Sequence, residues 1–182
     1  MHPYKHFCTI TKHRHLVMWG CFRVGLIRQG LAHDLSKYSP QEFLQGAKYW
    51  CGVRSPNVIA REDIGWSTAW MHHKGRNKHH YEYWTDLNAQ TKQYEAVPMP
   101  RKYMVESVVD RIAACKTYHG KAYTDADPIE YLQQAKETPL LHPDTRKEFE
   151  CILQYLQDHG EKQTFSMIRK KVLKGKPMTE WK

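Results

Sequence analysis

The sequence predicts an all-α, single-domain protein, and three observations carry that prediction. Apolar residues recur at the three- and four-residue spacings of a helix face in one segment after another. No stretch shows the sustained alternation of a half-buried strand. Proline and glycine stand where such helices would begin and end. With 182 residues, the chain can bury a core without disulfides or a structural metal.

The first helix is expected from Thr9 to Gly30, capped by Thr9 or Thr11 and ended by Gly30. Val17, Val24, Ile27 and Leu31 form one stripe, and Trp19, Phe22 and Leu26 the next. His13 precedes Val17 by four positions and His15 precedes Trp19 by four. Either histidine therefore continues an apolar stripe, and periodicity does not choose between them. Ser39-Pro40-Gln41-Glu42 follows, with serine at the cap, proline at the first helical position and glutamate where a capping box needs it. That helix is expected to reach about Val53, burying Phe43, Ala47 and Trp50, before Ser55-Pro56-Asn57 breaks it.

A further helix from about Ile59 aligns Trp66, Trp70, His73 and Asn77 on a single face. The next, from near Lys78, places His80 with Tyr83, Trp84 and Leu87, and His79 with Glu82 and Asp86. His73 and His80 are thus expected to point inward, and His72 and His79 to lie behind them or partly in solvent. Asp86 to Arg101 is polar and contains Pro98 and Pro100, which reads as a loop long enough to cover a site. Helices are then expected over Pro100 to Tyr118, Pro128 to Glu137, Asp144 to Asp158 and Gln163 to Leu173, divided by Pro139, Pro143 and Gly160.

The formal charge of +9 is concentrated at the end of the chain, where Glu161 to Lys182 holds seven basic and two acidic residues. Residues 1–160 are expected to form the helical domain, with 161–182 as a basic helix and tail packed on it. Such a tail is usually solubilising surface and less often an arm for nucleic acid. Cys8, Cys21, Cys51, Cys115 and Cys151 are scattered singly, without a Cys-x-x-Cys pair, which speaks against thiolate zinc and a disulfide framework. A reduced, cytoplasmic setting is expected, with no membrane span and no signal peptide.

Three features point to chemistry. His33 and Asp34 stand side by side at the end of an apolar helical run, and imidazole nitrogen and carboxylate oxygen are both good ligands for transition metals. A carboxylate has two oxygens and can bridge two ions. His72, His73, His79 and His80 place four histidines within nine residues, flanked by aromatic residues on the inward stripes. In the helix after Pro100, Glu106 and Asp110 stand one turn apart amid Met104, Val105, Val108, Val109 and Ile112. Two buried acids so placed repel unless a cation compensates. The alternative is a solvated face on which Arg101, Lys102 or Arg111 pairs with them.

Taken in order, His13-x-x-x-Val17, Gly30-Leu-Ala-His-Asp-Leu-Ser-Lys-Tyr-Ser-Pro, Ala69-Trp-Met-His-His-Lys-Gly-Arg-Asn-Lys-His-His-Tyr-Glu-Tyr-Trp and Glu106 to Asp110 resemble the HD-domain superfamily of metal-dependent phosphohydrolases. More closely, they look like an uncharacterised bacterial and phage family of small proteins with HD-type motifs. The resemblance implies an HD-type helical bundle and selects His13, since the superfamily's first histidine is followed four residues later by valine. It implies His13, His33, Asp34 and Asp110 as ligands of one metal, His73 and His80 as candidates for a second, and Asp34 as the bridge. The chain departs from two-metal members in one respect: His73 and His80 stand only seven positions apart rather than on well-separated helices. The implied cofactor is one or two divalent transition-metal ions (manganese, iron, zinc, nickel or cobalt).

The implied activity is hydrolysis of a phosphoester or nucleotide, with a small phosphorylated molecule as substrate. Lys37 is then expected to neutralise the substrate phosphate, Arg76 and Asn77 to orient it, and Glu106 to accept a proton. One alternative is an HD-fold mixed-valent di-iron oxygenase acting on a small organic substrate. Another is a nucleic-acid-binding module with a structural metal, which predicts affinity that falls steeply with salt.

Overall fold

The computed structural model describes residues 1–134 and 140–181. Helix α1 spans Pro3–Val24. It starts six residues before Thr9 because Pro3 occupies the first turn, where a missing N–H costs nothing. It ends at Gly25 rather than Gly30, and Gly25 adopts φ 94°, returning its N–H to Cys21 and Phe22 carbonyls. A short helix α2, Ile27–Ala32, then folds back on α1. Gly30 sits inside α2, where a Cβ would lie 2.9 Å from Cys21 Cβ and 3.0 Å from the Met18 carbonyl. The reversal at Gly25 breaks the long apolar stripe. Ile27 and Leu31 stay about half exposed as a result, and Trp19 is 62% exposed.

Helix α3, Pro40–Tyr49, stops short of Val53 and buries Ala47, while Phe43 and Trp50 are partly covered. The expected capping box does not form. Ser39 makes no side-chain cap, and Glu42 is turned inward to two histidines described below. The expected helix from Ile59 is two helices: α4, Pro56–Ile64, and α5, Thr68–Lys74. Ser55 and Ser67 each cap one through a side-chain oxygen, and Gly65 at φ 83° separates them. Trp66 is therefore not on the face of His73 and is 57% exposed.

No α-helix starts at Lys78. A turn and a 3-10 turn at Tyr81–Tyr83 lead into strand β1, Thr85–Leu87. It pairs antiparallel with β2, Tyr94–Ala96, with Thr85 opposite Ala96 and Leu87 opposite Tyr94. The polar segment expected to be a loop thus carries this small hairpin, and among the described residues every other regular element is a helix. Helix α6 spans Arg101–His119, α7 Asp127–Gln134 and α8 Pro143–Lys170. The end expected for α7 at Glu137, and the divider Pro139, lie outside the described residues. Helix α8 joins the last two expected helices across a kink at Gly160, where φ is 77°.

One apolar core unites the fold: Val17, Cys21 and Val24 of α1, Val105, Val109 and Ile112 of α6, Ile152, Leu156 and Ile168 of α8, and Trp181 near the end. The basic terminal segment packs into it through Phe165, Val172 and Trp181, and the Arg101 guanidinium lies over the Trp181 ring. Helix α1 meets α6 closely at Gly20, where a Cβ would fall 2.5 Å from Val109 Cγ1. Gly20→Ala is expected to cost about 1–3 kcal/mol through overpacking, read as a lower urea midpoint with an unchanged slope.

Candidate metal centre

Four segments meet at the middle of α1 and α6. Arg14 of α1 fixes the first meeting, donating from Nε to the His33 carbonyl at 3.2 Å and from Nη2 to the Leu31 carbonyl at 2.7 Å. The chain then turns at Asp34, a non-glycine residue with φ 53°. That left-handed backbone costs an aspartate little, and it swings the carboxyl back between α1 and α6. Helix α5 supplies His73. The turn after Gly75 supplies both His79 and His80, because adjacent residues in a turn, unlike those in a helix, can face the same way.

The resulting cluster is buried. His13 is inward and His15 is exposed. His13 Nε2 lies 2.9 Å from Asp110 Oδ1 and 3.7 Å from Asp34 Oδ2. His33 Nε2 lies 3.3 Å from Asp34 Oδ2 and 3.5 Å from Asp110 Oδ1. On the other side, His73 Nε2 and His79 Nε2 lie 3.3 and 3.4 Å from Asp34 Oδ1. The His80 ring stands 4.2 Å from that of His79 and 4.8 Å from that of His73. Two groups emerge, His13–His33–Asp34–Asp110 and Asp34–His73–His79–His80, and within each the donor atoms lie within 4.8 Å of one another. Asp34 belongs to both.

The donor atoms share a second property. Nε2 of His13, His33, His73, His79 and His80, and both Asp34 oxygens, are buried without a hydrogen bond. Buried polar atoms are nearly always satisfied, and each orphan is costly. Asp34 Oδ2 is paired with Lys37 Nζ and His13 Nε2 faces Asp110 Oδ1, but the convergence of the remaining atoms on Asp34 fits a cation on either side of it, since neutral imidazole and carboxylate suit zinc, iron, manganese, cobalt or nickel.

In His33, His73 and His79 the opposite ring nitrogen is already engaged. The Nδ1 positions of His33 and His79 lie 3.0 and 3.3 Å from Glu106 Oε1, and Gln29 Nε2 donates to Glu106 Oε2 at 2.8 Å. His73 and His72 donate from Nδ1 to the two oxygens of Glu42, at 2.7 and 2.6 Å. An N–H held by a carboxylate fixes the tautomer that leaves Nε2 free to ligate. Glu106, His33 and His79 form a third possible group, but it would consume those Nδ1 donors and leave the Nε2 atoms orphaned.

Electrostatics follow from this crowding. Burial pushes the Asp34 carboxyl up, and the charges of His33, Lys37 and His73 overcome that and hold it well below the usual range. Burial also raises Glu106, but hydrogen bonds from His33 and His79 bring it down to about 2. Burial, with His79 and His73 beside it, keeps His80 well below the ordinary histidine value. For His33 and His73 burial is outweighed by the adjacent carboxylates, chiefly Asp34, and both are raised.

A pH dependence follows. Without a cation, His33 and His73 contribute stability that is complete below about 6.5 and is lost as pH rises through their raised values. A cation must displace protons there, so its affinity weakens as pH falls. The gain in Tm on metal addition is expected to grow between about pH 6 and about pH 8, as measured by scanning calorimetry with and without chelator. A gain independent of pH would contradict this assignment.

The expected site residues divide as follows. The structure brings together His13, His33, Asp34, His73, His80 and Asp110. His79, expected to be partly solvated, is 1% exposed and among the donors. Lys37 Nζ pairs with Asp34 Oδ2 at 2.5 Å, so it borders the centre. Glu106, expected to accept a proton, lies against Nδ1 of both His33 and His79. Asn77, expected to orient the substrate, donates from Nδ2 to Ser36 Oγ at 2.9 Å and to the His73 carbonyl at 2.8 Å, tying the turn. Arg76 is exposed and donates to the His72 carbonyl at 3.3 Å. Glu42 carried no legible signal, since its place in the sequence is that of a capping glutamate.

The fold and centre together define a mostly helical protein with buried histidine–carboxylate clusters that could hold a metal ion. A family model described as a family of unknown function (DUF5662) matches residues 2–155, and the chain belongs to that family. The matched span contains every side chain of the centre. No curated protein and no solved structure matches the chain. Among the described residues, no helix is long and apolar enough to cross a membrane.

Proposed function

We propose that the protein is a metal-dependent hydrolase of the HD type that cleaves a phosphoester and holds two divalent transition-metal ions bridged by Asp34. The observation that carries this reading is the convergence of five imidazoles on the two oxygens of a single buried aspartate, whose Oδ2 is also paired with Lys37. His13, His33 and Asp110 hold the ion on one side, and His73, His79 and His80 the ion on the other. When bound, such ions bring the pKa of coordinated water to about 7 and clamp a phosphate during attack. The chain's own residues do the rest. Lys37 offers a cation to the substrate phosphate at the rim of the centre. Glu106 and Glu42 keep the imidazoles oriented, and the apolar residues of α1 and α6 exclude bulk water.

The test is elemental analysis of untagged protein purified without chelator, followed by assay against phosphoesters. Two equivalents of manganese, zinc, nickel or cobalt with phosphoester turnover support the reading. No metal retained, and none taken up on reconstitution, would sink it. A histidine-rich donor set also suits iron, which favours a di-iron oxygenase as second reading. Two equivalents of iron with a mixed-valent paramagnetic signal, and no phosphoester turnover, would select that reading.

A further inference from the structure

The basic end of the chain forms a surface of its own. Helix α8 kinks at Gly160, and beyond the kink the Glu161 N–H donates to Asp125 Oδ2 at 3.3 Å, as at a fresh helix start. Thr164, Phe165, Met167 and Ile168 of this second half are buried. Lys162, Gln163, Ser166, Arg169 and Lys170 therefore share the outward face and are exposed. An open groove of about 510 Å³ is lined by Lys162, Lys170 and Lys171 and, from the first half of α8, by Tyr155. We propose that this groove binds single-stranded nucleic acid, with its lysines on the phosphates and a base stacked at its Tyr155 end. The groove shares no residue with the metal centre, and its lysines lie after residue 155, where the family match ends.

Charge supplies the first argument. Three lysines line the groove and no acid does. The acids nearest in sequence are engaged elsewhere. Glu161 pairs with Arg23 of α1 and Lys116 of α6, and Glu180 pairs with Lys176 at 3.3 Å. Asp158 is exposed and accepts from Gln154 Nε2 at 3.0 Å. Lys162, Arg169 and Lys170 form no ion pair among the described residues. Such a row of unneutralised cations attracts a polyanion. Lys162 and Lys170 stand about 12 Å apart along the helix, far enough to meet different phosphates of one strand.

The aromatic end supplies the second argument. The Tyr155 ring stacks on the exposed His159 ring, with centroids 4.0 Å apart and planes at 14°. The His159 Nδ1 lies 3.2 Å from the Tyr155 carbonyl, which holds the pair in place. An aromatic platform beside lysines is the combination that single strands use, because every base has a face to stack. A duplex keeps its bases stacked inside and would leave the platform unused. A lipid surface calls for large apolar side chains beside the lysines, and none is exposed between residues 161 and 176.

The experiment uses the full chain and a fluorescently labelled oligothymidylate, with binding read as anisotropy in the presence and absence of chelator. Affinity is expected to fall about tenfold or more between about 50 and about 200 mM salt. The double variant Lys162→Gln, Lys170→Gln should lose about tenfold in affinity and flatten the logarithmic salt slope by about 1.4. Its metal content should stay that of the parent chain. His159→Ala should lose about fivefold with the slope unchanged. A duplex of the same length should bind about tenfold weaker than the single strand.

Unchanged affinity in either variant would overturn the proposal. So would equal affinity for the single strand, the duplex and polyglutamate, or binding to phosphatidylserine vesicles without binding to the oligonucleotide. Loss of oligonucleotide binding on adding chelator would move the strand to the metal centre and overturn it as well. If phosphoesters are not cleaved but the strand still binds through Lys162 and Lys170, the hydrolase reading fails and the groove stands.

Discussion

Asp34→Ala is expected to release both cations at once and to lower phosphoester turnover by about 10³-fold or more, to the background of a site without metal. Each oxygen of this carboxylate belongs to a different donor group, and no other side chain contributes to both. Losing His80 should instead empty one position, leaving about one equivalent bound through His13, His33, Asp34 and Asp110. Elemental analysis after dialysis separates the two results. Because Asp34 holds φ 53°, Asp34→Gly is the companion variant: glycine adopts that backbone freely and removes the same side chain. Two equivalents retained by either variant would end the bridging assignment.

Glu106→Ala is expected to weaken metal binding at both positions by about 10- to 100-fold, although Glu106 is read as a ligand of neither ion. It contacts Nδ1 of His33, which serves one group, and Nδ1 of His79, which serves the other. Glu42→Ala should weaken only the second position, through His73. Competition against a chelating dye would show two weakened sites for Glu106→Ala and one for Glu42→Ala. Were Glu106 instead a proton acceptor, Glu106→Gln would retain its metal and lose the basic limb of the pH–rate profile.

The helical class was legible because most long segments carry a repeating apolar face and end at proline or glycine. Helix α6 came through nearly to the residue, since Pro100 starts it and its burial is continuous. The breaks were harder to read. Gly25 and Gly65 end helices by adopting positive φ, and nothing in the local apolar pattern distinguishes them from Gly20 or Gly30, which pack inside helices. The same difficulty reached the centre. His33, Asp34 and Asp110 stood out by residue type, but the choice of His80 over His79 relied on a helix that does not form. Glu42 was invisible for a different reason, because its partners His72 and His73 lie thirty residues away and no periodicity spans that gap.

The centre draws its donors from α1, the turn before α3, α5 with its following turn, and α6, whereas the core is built from apolar side chains of α1, α6 and α8 that include none of those donors. Scaffold and cargo are therefore separable. A chain whose core closes without the ions can exchange them after it has folded. Ligand preference among divalent transition metals rises in a fixed order toward copper, so a preformed basket of imidazoles and carboxylates discriminates weakly by affinity alone. Under the proposed reading, supply at the time of loading would then set which ion resides there.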